Sequence, residues 1–152
     1  MQIKNIPFTE NSVIMGIGNL SRGDDGIGVF ISEKLAENNS IKVISCYEIP
    51  ENYLVKVSNM NPDTVVFIDA VNMNKSPGSI EVLHAEEVSQ GLGTHNTGLD
   101  VLAEFISGSC GAEIFVVAIQ PGNICGNINP EVREAGIRVI EVIIKILGEK
   151  GL

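Results

Sequence analysis

Short runs of β-branched and other apolar residues, separated by segments of helical length, constrain this chain more than any other feature. The runs at residues 64–68 (TVVFI) and 113–119 (EIFVVAI) are polar only at their first position. Strands buried on both faces have such continuous apolar runs, whereas half-exposed strands alternate apolar and polar residues. The pattern therefore predicts a mostly parallel sheet that is covered by helices on both faces.

The order of the remaining segments completes the predicted fold. Further strands are predicted at residues 12–18, 41–46 and 79–83. Helices are predicted at residues 25–38, 50–60, 97–107 and 130–147 from apolar spacing and prolines in the first turns. Asn129 is expected to cap the last helix, and Gly148 is expected to end it.

The direction of the fourth predicted strand follows from the length of the connection before it. Residues 70–78 are too few for a crossover helix, so this strand is predicted to be antiparallel to the third. The predicted fold class is α/β, a three-layer α/β/α arrangement with a mostly parallel five-stranded sheet and one antiparallel strand. The chain is interpreted as a single domain over residues 1–152, with residues 1–11 as an N-terminal extension.

The net charge and the cysteine content limit which binding partners and which cellular compartment fit this chain. The formal net charge is −9, which disfavours nucleic acids and anionic membranes as partners. The three cysteines form no C-x-x-C pair or disulfide framework, which favours a reducing compartment. Residues 1–11 lack an apolar signal region, and no run reaches the length of a membrane span. A cytoplasmic protein is the resulting expectation. A monomer is expected as well, although the sequence does not determine the oligomeric state.

A glycine-rich loop with paired aspartates follows the first predicted strand. It fails the dinucleotide-binding fingerprint, because Ser21 stands where G-x-G-x-x-G needs its third glycine. Two aspartates at a helix start would also repel a phosphate group. Either aspartate fits a helix cap or a partner of the helix dipole. An arrangement with Asp24 turned inward as the cap leaves Asp25 available for chemistry.

Three side chains are predicted to meet at the carboxyl edge of the sheet. Asp25 follows the first strand, Asp69 ends the third, and His95 precedes the helix that leads to the fifth. The alternatives are an Asx turn for Asp69 and a surface loop histidine for His95. All three are expected to bury little core, so that alanine substitutions leave the fold intact. His84 is interpreted as a residue without a functional role, at the opposite edge of the sheet.

Two carboxylates and an imidazole make an open site that suits nickel or zinc. Because it has no thiolate and only three ligands, the site should hold metal weakly, and the resting protein should be largely metal-free. The chain contains neither the H-E-x-x-H motif of zinc proteases nor a G-x-S-x-G nucleophile elbow. The cysteines are interpreted as packing or surface residues.

The motifs, in their order and spacing, resemble the [NiFe]-hydrogenase maturation endopeptidases from residue 13 to about residue 147. The matching stretches are Gly16-Ile17-Gly18-Asn19, Gly23-Asp24-Asp25-Gly26-Ile27-Gly28, Pro50-Glu51-Asn52, Phe67-Ile68-Asp69-Ala70, Pro77-Gly78, Thr94-His95-Asn96, Ile119-Gln120-Pro121 and Asn129-Pro130-Glu131-Val132. The resemblance implies one cut that removes the C-terminal extension of a hydrogenase large-subunit precursor after nickel insertion. It also implies that Asp25, Asp69 and His95 contact nickel, which arrives with the substrate.

One departure from the family pattern and two rival functions accompany this interpretation. Relatives often have a glycine-containing turn where this chain has Cys46-Tyr47-Glu48-Ile49, and these larger residues should reshape that rim of the site. A non-catalytic nickel-binding chaperone could use the same three ligands. An α/β enzyme that holds a small anion on the glycine loop is the other alternative, which the paired aspartates disfavour.

Overall fold

The computed structural model describes residues 1–88 and 98–152 of the chain. Its strands are β1 (Ser12–Ile17), β2 (Lys42–Tyr47), β3 (Thr64–Ala70), β4 (Ile80–His84) and β5 (Glu113–Ile119). Its helices are α1 (Ile27–Ala36), α2 (Leu54–Asn59), α3 (Ala85–Val88), α4 (Leu99–Cys110) and α5 (Pro130–Glu149). Short 3-10 turns occur at Ile3–Asn5, Gly23–Gly26 and Pro50–Tyr53.

The five strands form one sheet in the order β2-β1-β3-β5-β4. β1, β2, β3 and β5 are parallel, and β4 is antiparallel to β5, which confirms the predicted fold class. The neighbour of β4 is β5, however, and not the preceding strand β3. The reason is burial: β5 is apolar on both faces and takes an interior position, whereas β4 carries Glu81 and His84 and tolerates the edge.

Helices cover both faces of the sheet and enclose two separate hydrophobic cores. One core lies under α1 and α5, and the other lies under α2 and α4. Residues of β3 alternate between them, with Val66 and Ile68 in the first core and Phe67 in the second. The segment interpreted as an N-terminal extension also contributes to the first core, through Ile3, Ile6 and Phe8.

Several element boundaries differ from the predicted ones. β3 continues through Asp69 to Ala70, and α1 begins only at Ile27 because residues 23–26 form a 3-10 turn. The prediction that Gly148 ends the last helix was wrong, since α5 runs on to Glu149. A residue with φ of +73° follows at Gly151, where the chain needs the left-handed conformation. The short helix α3 had no sequence prediction.

The strand order reverses between β1 and β3, because β2 is added on one side of β1 and β3 on the other. The helix α1 leaves β1 on one face, whereas α2 precedes β3 on the other, so a crevice is expected at the carboxyl ends of these two strands. Gly28 shows how closely α1 approaches that edge. A Cβ atom there would lie 2.2 Å from the Ile68 carbonyl oxygen and 2.3 Å from that of Ile17. Glycine is therefore required in the first turn of α1.

In residues 1–88 and 98–152, no helix has both the length and the apolar composition for crossing a bilayer.

Candidate functional site

The turn that carries Asp25 is held to the ends of the parallel strands by backbone hydrogen bonds. The Gly18 amide donates to the Tyr47 carbonyl at 2.9 Å, which joins the end of β1 to the end of β2. The Asn19 amide donates to the Asp25 carbonyl at 3.1 Å, and the Asp25 amide donates to the Arg22 carbonyl at 3.2 Å. The backbone of Asp25 is therefore fixed on both sides.

Asp69 lies inside the central strand β3 and not after it. It pairs in register with Ala118 of β5, and strand alternation places its side chain on the α2/α4 face, as for Phe67. The Gly23–Gly26 turn contacts β3, so the structure brings Asp25 and Asp69 to the same carboxyl edge of the sheet. His95 lies outside the described residues, and its convergence with the two aspartates stays a prediction.

The two aspartates are more deeply buried than the sequence led us to expect. Asp25 is 4% exposed and Asp69 is 0% exposed, so the expectation that they bury little was wrong. The physical reason is that α1 packs onto the strand ends above Asp25, while Asp69 lies within an interior strand. Removing a buried polar group can cost about 1–3 kcal/mol when its partners are left behind. Isosteric amide variants therefore test these positions better than alanine does.

The role of Asp24 in the structure differs from the one predicted from the sequence. Its side chain does not cap α1, for which no side-chain cap bond occurs. Instead its carboxylate accepts hydrogen bonds from the backbone amides of Gly122 and Asn123, both at 2.8 Å, and of Asn129 at 2.7 Å. The Asn129 side chain adds a fourth at 3.0 Å. Asn129 occupies the N-cap position of α5 as predicted, but its side chain makes no cap hydrogen bond to the helix and bonds Asp24 instead.

Gln120 organises the loop that follows Asp69, a role that was not predicted from the sequence. Its buried side-chain oxygen accepts hydrogen bonds from the Met73 amide at 2.6 Å and the Lys75 amide at 3.3 Å. Its side-chain nitrogen donates to the Asn72 side chain at 3.2 Å. The available signal was a glutamine directly after the apolar run of β5, because a polar side chain at a buried strand end needs partners.

Large apolar side chains are exposed on the loops around this edge. Leu20 follows β1, Tyr47 ends β2, Ile49 follows it and Ile124 follows β5, and each is between 44% and 49% exposed. Single exposed apolar residues need no explanation, but these four lie on loops of the same edge. Tyr47 has a φ of +53° and donates its hydroxyl to the Glu33 carboxylate at 2.9 Å. The rim thus carries bulky side chains where the sequence departed from the family pattern.

A separate cleft of about 590 Å³ lies among α3, α4 and the start of β5. His84 lines it and packs against Phe115, with 4.9 Å between the ring centroids. Since β4 ends where β5 begins, His84 lies at the edge opposite the two aspartates, as the sequence predicted. The cleft is therefore distinct from the candidate site.

The cysteines differ in their capacity to act as nucleophiles. Cys46 is buried, and burial together with the nearby Glu51 carboxylate raises its pKa from 9.0 to about 12, although Lys56 opposes this shift. Its thiol therefore stays protonated at neutral pH, which argues against a thiolate nucleophile or ligand there. Because the pKa of Cys46 is higher in the folded than in the unfolded protein, the thiol contributes its full share to the stability of the fold below about pH 9. That contribution is lost as the pH rises toward 12.

We expect iodoacetamide at pH 8 to modify Cys125, which is exposed, well before Cys46. Peptide mass mapping over a time course gives the two rates, and labelling in denaturant provides the control in which both thiols react alike. Equal rates at the two cysteines in the native protein would contradict this assignment.

Comparison with known proteins supports the assignment of the fold. Residues 29–146 match the family model HycI, described as hydrogenase maturation protease. The hydrogenase 3 maturation protease of Escherichia coli K12 is 31% identical over 113 residues, which cover 72% of each chain. The crystal structure of the [NiFe] hydrogenase maturation protease HycI from Thermococcus kodakarensis superposes with a TM-score of 0.88 at 29% identity, covering 96% of this chain and 98% of that one.

A solution structure of the endopeptidase HycI from Escherichia coli matches with a TM-score of 0.78 at 26% identity, over 86% of each chain. The family match includes Asp69, and the longer structural match extends over nearly the whole chain. The chain therefore belongs to the hydrogenase maturation protease family and is a hydrolase of peptide bonds.

Proposed function

We propose that this protein removes the C-terminal extension of a [NiFe]-hydrogenase large-subunit precursor after nickel has been inserted, and that it recognises the nickel bound by its substrate. The observation that carries the proposal is the placement of Asp25 and Asp69, both buried, at one carboxyl edge in a chain of this family. His95 completes the proposed ligand set from the sequence.

The donor set fits a metal that arrives with the substrate. Carboxylate oxygens and an imidazole nitrogen are accepted by nickel and by zinc. Three such ligands leave coordination positions open for groups of the precursor, and their affinity for a free ion should be weak. We propose that nickel bridges the precursor and the enzyme, and that the resting enzyme is largely metal-free.

Rigid placement is the contribution of the protein to catalysis. A bridging nickel would set the scissile peptide bond beside Asp25 and Asp69, and positioning of this kind lowers the barrier before any bond changes. The ion could then polarise the peptide carbonyl or lower the pKa of a bound water. Alternatively, one of the aspartates acts as the general base that activates a water. All three routes require the two carboxylates to stay fixed at the edge.

The rim and the charge of the protein favour a protein substrate. The exposed Leu20, Tyr47, Ile49 and Ile124 surround the edge and offer apolar contacts to a polypeptide. A net charge of −9 disfavours nucleic acids and anionic membranes. We propose that the protein meets its precursor in the cytoplasm and acts as a monomer.

Nickel-gated cleavage is the expected outcome of the direct test. Purified precursor in nickel-loaded, zinc-loaded and metal-free forms is incubated with the enzyme, and the C-terminus is followed by mass spectrometry. We expect cleavage of the nickel form and no cleavage of the metal-free form, because the latter lacks the anchor between substrate and enzyme. Equal cleavage of the metal-free precursor would remove nickel from recognition and favour the general-base route.

The same assay separates the enzyme from a non-catalytic chaperone. A chaperone would bind the nickel-loaded precursor and leave its C-terminus intact, which size-exclusion chromatography and mass measurement of the same sample distinguish.

A further inference from the structure

We propose that Asp24 is a positioning residue, which ties residues 121–129 to the turn that carries Asp25 and so holds the reactive edge together. The inference rests on the proposed function where it concerns cleavage. The tether itself is a property of the fold and can be measured without a substrate.

Asp24 is a buried carboxylate, and both of its oxygens accept hydrogen bonds. The side chain is 0% exposed and accepts four hydrogen bonds of 2.7 to 3.0 Å, all from Gly122, Asn123 and Asn129. These donors lie 98 to 105 residues away along the chain, in the connection between β5 and α5. The tether thus joins the loop after β1 to the loop after β5.

Backbone contacts reinforce the same junction. The Asp24 amide donates to the Asn123 carbonyl at 2.8 Å, and the Gly23 amide donates to the Gly126 carbonyl at 2.9 Å. Gly23 has a φ of +55°, and a Cβ atom there would lie 2.6 Å from the Asn123 carbonyl oxygen. The two loops therefore pack backbone against backbone and share their position.

The chemistry of the tether requires a carboxylate. An ionised aspartate only accepts hydrogen bonds, so it can satisfy four donors, and bonds to a charged acceptor are stronger than neutral ones. The isosteric asparagine would place an amide group, itself a donor, against at least one of these N–H groups. Asp24→Asn therefore keeps the volume of the side chain but breaks the tether.

Asp25 is the next residue, and the tether bears directly on its position. The Asp25 carbonyl and amide are bonded to Asn19 and Arg22 within the same turn, so displacement of Asp24 shifts that turn relative to β3. The tethered loop also presents Ile124 at the rim. Asp24 thus connects the proposed metal ligand with part of the proposed substrate-binding rim.

The first test compares cleavage by Asp24→Asn with that by a core variant. Val139→Ala, in the buried face of α5, serves as the control for a general loss of stability. Both are assayed on nickel-loaded precursor at a temperature where circular dichroism shows each to be fully folded. We expect kcat/KM to fall about 10–100-fold for Asp24→Asn, since small misplacements cost this much, and to stay at the wild-type value for Val139→Ala. Wild-type kcat/KM in folded Asp24→Asn would overturn the proposal.

The second test measures the tether by amide hydrogen exchange of the protein alone. In Asp24→Asn we expect faster exchange at Gly122, Asn123 and Asn129 and also at Gly23 and Asn19, whose bonds do not involve the Asp24 side chain. Unchanged exchange at Gly23 and Asn19 would overturn the proposal, whatever the cleavage assay gives. If Asp24→Asn shows the expected faster exchange but the wild-type protein cleaves no precursor, the proposed function is refuted and the tether is not.

A milder variant covers the case in which Asp24→Asn does not fold. Asn129→Ala removes one of the four bonds and leaves the three backbone donors in place. We expect a smaller increase of exchange at the same amides, and its absence would count against the tether.

Discussion

Asp25→Asn and Asp69→Asn are each expected to lower the rate of cleavage of nickel-loaded precursor by about 10²-fold or more. Each substitution keeps the shape of a buried side chain and removes the negative charge, which weakens a metal ligand and abolishes a general base. His95→Ala is expected to have a similar effect if the imidazole is the third ligand. The measurement is the initial rate of C-terminal processing, followed by mass spectrometry.

Two controls separate this loss from unfolding and from a change in net charge. Thermal unfolding of each variant establishes that it is folded at the assay temperature. Glu10→Gln removes one negative charge at an exposed position before β1, at the opposite edge, and should process precursor at the wild-type rate. Wild-type rates in both aspartate variants would remove these residues from the mechanism.

Val66→Asp is expected to abolish folding. Val66 is 0% exposed in β3, where it pairs in register with Ile14 and Phe115 inside the core under α1 and α5. Burying an unpaired carboxylate there costs several kcal/mol, which is comparable with the whole stability of about 5–15 kcal/mol for a typical domain. Loss of the cooperative unfolding transition, by circular dichroism or calorimetry, is the expected measurement.

The same chemical change at an exposed valine provides the matched control. Val55 in α2 is 62% exposed, so Val55→Asp should change the free energy of unfolding by no more than about 0.5 kcal/mol. A cooperative, near-native transition for Val66→Asp would mean that the core under α1 and α5 tolerates a charge, in conflict with its packing.

The layered fold could be predicted because its signal is local. The apolar runs of β3 and β5 are short and continuous, and such runs indicate strands buried on both faces without reference to the rest of the chain. The direction of β4 followed from the length of one connection. Its neighbour did not, because strand pairing depends on which surfaces remain available after the interior strands have associated.

Asp25 and Asp69 could be selected from the sequence because the carboxyl ends of parallel strands meet at one edge. The burial of their side chains could not be predicted, since it depends on how closely α1 packs onto that edge. The approach of Gly28 to the carbonyls of Ile17 and Ile68 is a tertiary contact, and it explains why Asp25 is buried and not exposed at an element end.

Asp24 and Asp25 illustrate what the sequence determines and what only the tertiary structure determines. By itself, the sequence determined that paired aspartates follow the first strand in a hydrogenase maturation protease pattern, because residue type and spacing are local properties. Only the tertiary structure decided that Asp24 binds Gly122, Asn123 and Asn129. Those donors are about a hundred residues distant, and they reach Asp24 only after β1, β3 and β5 have paired and brought the ends of their loops together.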